Sequence, residues 1–154
     1  KPLALCRQHI SATSDAVLLA TGIEPISYDL SLDVRLDDDA YDGVVVIEVE
    51  VSVPARTSIT LHSKELAYTS ATYAGLPTSS ITCNAEATTV TFHFGKPLPM
   101  GRAPLRIPFT GILNPDMCGF YRSQYTDING ELKKMASTQF EPAAVLLANW
   151  WAPQ

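Results

Sequence analysis

Two neighbouring segments of this 154-residue chain alternate apolar and polar side chains. In residues 28–36 every second position is apolar, from Tyr28 to Leu36, and the positions between are polar. The same pattern returns from Val45 to Val53 and stops at Pro54. Successive side chains of a β-strand point to opposite sides, so this period of two is typical of strands with one buried face. We therefore predict two paired strands, joined by an acidic, solvated turn at residues 37–43.

Further short strands are predicted along the rest of the chain, with almost no helical periodicity. Residues 75–80 and 95–104 are rich in Gly, Pro or Ser and are predicted to be connections. Pro108 lacks a backbone donor and predicts an edge strand or a strand end. Many short strands at this spacing are typical of an all-β fold, an antiparallel β-sandwich. The predicted later strands are centred on Ile59–Leu61, Leu66–Tyr73, Val90–Phe94 and Leu105–Phe109.

A hairpin is predicted near the end of the chain, with strands Tyr121–Tyr125 and Leu132–Gln139. Asn129-Gly130 lies between them and favours a tight primed turn, which needs positive φ at its centre. Pro142 favours an extended conformation at the preceding residue, Glu141. Gln139 and Glu141, two residues apart, would then point to one side where the strand ends. Such a pair can hold an amide and a carboxylate against a cationic ligand.

Composition narrows the function classes. The hydrophobic content of 46% and charged content of 18% are those of a globular domain. A net charge of −5, without a basic stripe, argues against nucleic acid as a partner. The apolar run Ala16–Ala20 is too short to span a membrane. Three cysteines without paired spacing predict reduced thiols and a cytoplasmic location. No histidines have metal-ligand spacing, and His62 and His93 are predicted to lie on the sheet surface.

The segment 119–142 resembles zinc aminopeptidases with a thermolysin-like catalytic domain, the family that includes aminopeptidase N and puromycin-sensitive aminopeptidase. These enzymes carry Gly-Phe-Tyr-Arg-Ser-x-Tyr, a short hairpin and Thr-Gln-Phe-Glu-Pro, as this chain does. The likeness extends upstream to Ile23-Glu-Pro-Ile-Ser-Tyr-Asp-Leu30 and covers residues 23–142. It implies that the chain is the family's N-terminal β-sandwich domain.

The resemblance also implies roles for two residues. The family's equivalent of Glu141 binds the free α-amino group of a peptide substrate, and the equivalent of Gln139 lines the pocket for its first side chain. Tyr121 and Phe140 are expected to pack on the sandwich, and Arg122 to pair with a carboxylate across the hairpin. The family's zinc belongs to a following catalytic domain, so zinc is expected in the parent enzyme and none in this chain. We expect this fragment alone to be inactive.

Three segments are predicted: 1–22 as a poorly ordered terminus, 23–142 as the sandwich, and 143–154 as a divergent apolar tail. The absence of an initiator Met predicts a fragment or a processed product. The likeness stops abruptly after Pro142, which suggests an alternative exon, a frame error or a truncated paralogue. Expected partners are a peptide bound through its free N-terminus and the missing catalytic domain. The alternative hypothesis is a non-catalytic β-sandwich module that binds another protein.

Overall fold

The computed structural model describes residues 4–5, 21–117 and 119–139, and in these ranges all regular secondary structure is β. The alternating strands are confirmed, whereas the turn predicted at residues 37–43 is shorter than expected, because β3 already begins at Ala40. The predictions about Glu141, Phe140 and the 143–154 tail concern residues outside the described ranges. The strands are β1 (Ala4–Leu5), β2 (Ile23–Arg35), β3 (Ala40–Val51), β4 (Ser58–His62), β5 (Leu66–Tyr68), β6 (Thr72–Tyr73), β7 (Leu76–Asn84), β8 (Thr89–Phe94), β9 (Gly101–Ile112), β10 (Gly119–Thr126) and β11 (Leu132–Gln139).

Nine of these strands form one curled antiparallel sheet, and β10 and β11 form a separate two-stranded sheet. The long strands β3 and β9 pair along their whole length, from Ala40 opposite Ile112 to Val51 opposite Gly101. On its other side β9 pairs with β5 and β6. β6 continues the sheet to β7, β8 and β4. The predicted all-β, antiparallel architecture is therefore confirmed.

The curled sheet encloses one hydrophobic core. Tyr68 of β5 meets Phe92 of β8 edge to face, with ring centroids 5.5 Å apart. Tyr73 of β6 meets Phe94 of β8 in the same way at 6.3 Å. The first contact joins strands near opposite ends of the sheet, so the β4–β8–β7 part packs over the β5–β9 part. On β3 the buried residues occupy every second position, as their period of two predicts.

Two glycines in the β3–β9 ladder lie beneath aromatic rings. Gly111 pairs with Tyr41, and a Cβ on Gly111 would lie 2.3 Å from the tyrosine ring. Gly43 pairs with Phe109, and a Cβ there would lie 2.4 Å from that ring. Each ring thus fills the space that a larger residue on the opposite strand would need. The rings of Tyr41 and Phe109 are themselves in edge contact.

Two predictions about connections are wrong. A connection was predicted at residues 75–80, but residues 76–80 belong to β7, because this strand finds a partner in β8 despite its polar sequence. β9 begins at Gly101, and it is a central strand although it contains Pro108. The partners of β9 on one side, β5 and β6, pair with residues 109–111 and 105–106. Pro108 therefore lies where that ladder is already interrupted, and a missing donor is tolerated.

The predicted half-buried β2 is more exposed than its alternation suggests. Within the described residues β2 pairs only with β3, so it is an edge strand of the sheet. Tyr28 and Leu30 pair with core positions Ile47 and Val45, yet both are exposed. The alternation correctly identifies which side chains of β2 face the same way as the core residues of β3. The strands packed over β3 do not extend far enough to cover β2.

Two predictions about single residues are also wrong. His62 is buried rather than on the surface. It lies at the end of β4, where the side chains on both faces of the strand are buried. Cys83 on β7 takes part in a disulfide bond whose partner lies outside the described residues. Spacing could not reveal this bond, since folding joins cysteines that are distant in sequence. The disulfide removes the support that reduced thiols gave to a cytoplasmic location.

Candidate functional site

The hairpin β10–β11 carries the sequence motif that points to function. Its register runs without interruption from Gly119 opposite Gln139 to Thr126 opposite Leu132. The predicted strands are confirmed, with β10 slightly longer than expected. This register places Gln139 at the base of the hairpin, the end nearer the sandwich, and residues 127–131 at its tip.

The predicted primed turn is wrong. Gly130 has a φ of +82°, but Asn129 is not among the residues with positive φ. The amide of Gly130 donates to the Asp127 carbonyl at 3.0 Å, and the amide of Asp127 donates to the Glu131 carbonyl at 2.8 Å. This is the pattern of a longer loop in which one left-handed glycine follows an ordinary turn. The Asp127 carboxylate stabilises it by accepting from the amides of Asn129 and Glu131.

Alternation gives the hairpin two faces. The docked face, defined by even-numbered residues, includes the side chains that contact the sandwich. The free face, defined by odd-numbered residues, includes Gln139. The docked face comprises Phe120, Arg122, Gln124, Lys134, Ala136 and Thr138. The free face comprises Tyr121, Ser123, Tyr125, Lys133, Met135, Ser137 and Gln139.

Apolar packing and backbone pairing fix the base of the hairpin. Phe120 is buried and meets the ring of Tyr41 edge to face, with centroids 5.1 Å apart. Ala136 packs against the same core. The amide of Arg122 donates to the Asn114 carbonyl at 2.9 Å, next to an isolated parallel bridge between Asn114 and Tyr121. The hairpin base is thereby joined both to the core and to the chain that follows β9.

A cluster of charges joins the docked face to the turn between β2 and β3. Lys134 Nζ donates to Asp39 Oδ1 at 2.8 Å, and the Arg122 guanidinium donates to Asp39 Oδ2. Lys134 also reaches the carbonyls of Leu36 and Asp37, at 3.2 and 3.3 Å. The hydrogen bond from Lys134, together with the charge of Arg122, holds the pKa of the Asp39 carboxyl below its usual value. One carboxylate thus binds both strands of the hairpin.

The backbone at Asp39 is also unusual. Its φ is +51°, in the left-handed region that Asp and Asn tolerate better than most residues. Its carbonyl accepts from the amide of Leu113, just after β9, at 2.8 Å. The sequence predicted a carboxylate partner for Arg122 across the hairpin, whereas the partner comes from a turn 83 positions earlier. The acidic run by itself predicts only a solvated turn, and nothing in its pattern indicates the role of Asp39.

Of the two predicted substrate residues, the structure describes one. Gln139 is exposed at the end of β11, on the free face. Glu141 lies outside the described residues. Phe120, rather than Tyr121, packs on the sandwich, because alternation directs Tyr121 to the free face. Ala136, partly buried on the facing strand, packs on the same side of the hairpin, and alternation from Phe120 could have indicated this face in the sequence.

The described residues do not form a metal site. No group of three or more His, Cys, Asp or Glu side chains in residues 21–117 and 119–139 could hold an ion. The described part of the chain thus does not assemble the donors needed for zinc. Nor do these residues include a helix of the length and apolarity that a membrane crossing requires.

A shallow cavity of about 440 Å³ lies on the outer sheet face, beside Ser31 and Thr69. Gln139 is not among the residues that line it.

Comparison with known proteins identifies the class to which this sandwich and hairpin belong. A family profile for the Peptidase M1 N-terminal domain matches residues 24–146. The chain therefore belongs to the Peptidase M1 family, through its N-terminal domain, and the resemblance seen in the sequence is confirmed.

Individual relatives agree with this assignment. "Aminopeptidase 2, mitochondrial" of Saccharomyces cerevisiae is 36% identical over 88% of this chain. "Aminopeptidase M1-B" of Oryza sativa subsp. japonica is 41% identical over 77% of it, and "Aminopeptidase M1" of Arabidopsis thaliana is 39% identical over 77%. The matches cover only 15%, 14% and 14% of these relatives. The chain thus corresponds to a small part of each relative.

Proposed function

We propose that this chain acts as the substrate-binding N-terminal domain of a zinc-dependent aminopeptidase. Glu141 binds the free α-ammonium group of a peptide, and Gln139 lines the pocket for the first side chain. The observation that carries this proposal is the exposed position of Gln139 at the end of β11, in a chain of the Peptidase M1 family. The names of the relatives, all aminopeptidases, support the reaction class.

The chemistry of the two side chains fits this task. An ammonium group has three donors and is bound best by carboxylate and carbonyl oxygens. Fixing that group also fixes the peptide bond one residue away, so the enzyme removes single residues from the N-terminus. Zinc, held by the catalytic domain, would supply the polarised carbonyl and the activated water. We therefore propose that the 154-residue chain alone is inactive.

The test of the amine anchor is Glu141→Ala in a full-length enzyme that carries this domain. Removing a hydrogen bond to a charged group costs about 1.5–3 kcal/mol, which corresponds to a kcat/KM lower by about 10- to 100-fold. The matched control is Glu131→Ala, because Glu131 lies in the same hairpin but is exposed at the tip beside Lys133. Unchanged kcat and KM in Glu141→Ala would remove Glu141 from the site.

Gln139→Ala tests the pocket. The ratio of kcat/KM between substrates with different first side chains should change, while a substrate's need for a free amine should not. A uniform loss across all substrates would assign Gln139 to the support of the hairpin instead.

Two measurements test the wider proposal. Sequencing the transcript beyond the codon for Gln154 should reveal a catalytic domain with His-Glu-x-x-His. The purified 154-residue chain should neither bind zinc stoichiometrically nor cleave an aminoacyl amide. Stoichiometric zinc together with cleavage would overturn the assignment of zinc to another domain.

A second candidate is a non-catalytic binding module, favoured by the open edge of β2. This strand exposes apolar side chains, including Ile26 and Val34, and pairs on one side only among the described residues. Exposed strand edges can pair with another chain. A stop codon after Gln154, with a stable and soluble purified chain, would favour the module over the enzyme domain.

A further inference from the structure

Asp39 occupies a central place between the sandwich and the hairpin. Its two carboxylate oxygens bind different strands, since Oδ2 accepts from Arg122 on β10 and Oδ1 accepts from Lys134 on β11. Its carbonyl binds the chain after β9 through the amide of Leu113. These contacts add to those of Phe120 and the Asn114 bridge, which hold the base of the hairpin. Contacts to both strands fix its rotation as well as its distance from the sandwich.

The neighbouring acidic residues do not share this role. Asp38 pairs with Arg35 on β2, at 3.4 Å, and its side chain is 68% exposed. Asp42 also pairs with Arg35, so this ion pair stays within the β2–β3 ladder. Asp37 contributes only its backbone carbonyl to Lys134. Of these four acidic side chains, Asp39 is the one that forms ion pairs with residues of the hairpin.

The cluster is close to the proposed substrate residues along the chain. Arg122 lies opposite Ala136, three positions before Gln139 on β11. At about 3.4 Å per strand residue, this is roughly 10 Å of chain. The free face that carries Gln139 is the reverse side of the sheet that Asp39 binds. The orientation of the free face therefore depends on how the docked face is held.

We propose that Asp39 is a positioning residue for substrate binding: by holding Arg122 and Lys134 it sets the place and angle at which β11 presents Gln139, two residues before the proposed amine anchor Glu141. This inference rests on the proposed function, because it takes these two residues as the substrate contacts. Asp39 touches no substrate itself. Its loss should weaken binding of the peptide N-terminus while leaving the catalytic domain intact.

The variant that tests the proposal is Asp39→Asn. Asn tolerates the left-handed backbone at this position, so the substitution removes the charge without straining the turn. Asp42→Asn is the matched control, because it makes the same chemical change in the same region, to an ion pair that does not reach the hairpin. Both are made in the 154-residue chain and in a full-length enzyme that carries this domain.

In the 154-residue chain, hydrogen exchange of the β10 and β11 amides measures how well the hairpin is held. Asp39→Asn should increase exchange there and leave β3 and β9 unchanged, whereas Asp42→Asn should not affect the hairpin. In the full-length enzyme, Asp39→Asn should raise KM by about three- to tenfold with kcat changed less than about twofold, the pattern of lost substrate binding. A merely structural defect would instead lower the amount of active enzyme, and hence kcat, at constant KM.

Parallel measurement of Glu141→Ala separates the possible failures. If Glu141→Ala raises KM and Asp39→Asn does not, the positioning role is overturned while the proposed function stands. Unchanged hairpin exchange in Asp39→Asn, or an equal effect of Asp42→Asn, overturns the positioning role as well. If Glu141→Ala leaves both kcat and KM unchanged, the proposed function fails, and the inference built on it fails with it.

Discussion

The sandwich and the hairpin are held in different ways. In the sandwich, large side chains such as Tyr73, Phe92 and Ile107 are fully buried, and burial stabilises the fold without depending on the direction of any one contact. In the hairpin, Ile128 is fully exposed and Leu132 is 65% exposed. Its attachment relies on Phe120, one backbone bridge and the Asp39 cluster. The comparison shows that the region carrying the functional motif is held by fewer interactions, and that these depend more on direction than core packing does.

This difference makes the two regions separable by mutation. A substitution in the sandwich should unfold both regions, because an isolated two-stranded hairpin is marginally stable in water at best. A substitution at the attachment should release the hairpin and leave the sandwich folded. The variants that follow are ordered by the size of their expected effect.

Phe92→Ala should have the largest effect. Its ring is fully buried and contacts Tyr68, so its removal should lower the free energy of unfolding by about 3–5 kcal/mol. Denaturant unfolding followed by far-UV circular dichroism measures the change. Phe92→Leu, which keeps most of the buried volume, is the control and should cost less. Hairpin amides that stay protected after the sandwich has unfolded would contradict the dependence of one region on the other.

Phe120→Ala should have a smaller and more local effect. The side chain joins the hairpin to Tyr41, so its loss should abolish hydrogen-exchange protection in β10 and β11. The ring contact of Phe120 is with Tyr41, whereas Phe92 meets Tyr68, so the midpoint of global unfolding should shift much less than in Phe92→Ala. Tyr121→Ala, on the free face, is the control. A global loss of stability as large as that of Phe92→Ala would show that the hairpin is part of the main cooperative unit.

Acidification should have the smallest effect. The pKa of Asp39 is lowered from its ordinary value of 3.8, foremost by the hydrogen bond from Lys134. A carboxyl whose pKa is lower in the folded state adds stability above its unfolded pKa, and this stability is lost as the pH falls through the folded pKa. Protection factors of the hairpin amides should thus be constant near neutral pH and fall below pH 3.8.

Asp39→Asn is the control for this pH dependence. The difference between wild type and Asp39→Asn should be largest at neutral pH and should disappear once Asp39 is protonated. A difference that is independent of pH across this range would show that the charge of Asp39 does not hold the hairpin.

The sequence predicted those features that depend on local pattern. The period of two located β2 and β3, and the strands of the hairpin matched their predicted positions. Features that depend on distant partners were not visible. β7 is polar but has β8 beside it, and Pro108 lies at a gap between two partner strands. The exposure of β2 likewise depends on which strands cover it.

The candidate site was predicted to the same limited extent. The motif located Gln139, and the pairing then placed it on the exposed free face. Arg122 was expected to bind a carboxylate, but the motif has no information about the turn that supplies Asp39. The relation between these residues arises only when β3 and β9 align Asp39 with the end of β9.

The contacts that attach the hairpin are spread along most of its length, and this has a mechanical consequence. Counted from the base, Phe120 lies in the second of the eight pairs, Arg122 in the fourth and Lys134 in the sixth. A strip held at three such points cannot pivot about its base. Compliance is therefore confined to the last two pairs and the loop beyond them. Insertions or sequence drift in the loop at residues 127–131 should be tolerated, while a single methyl group added at Gly111, under the ring that supports Phe120, should not.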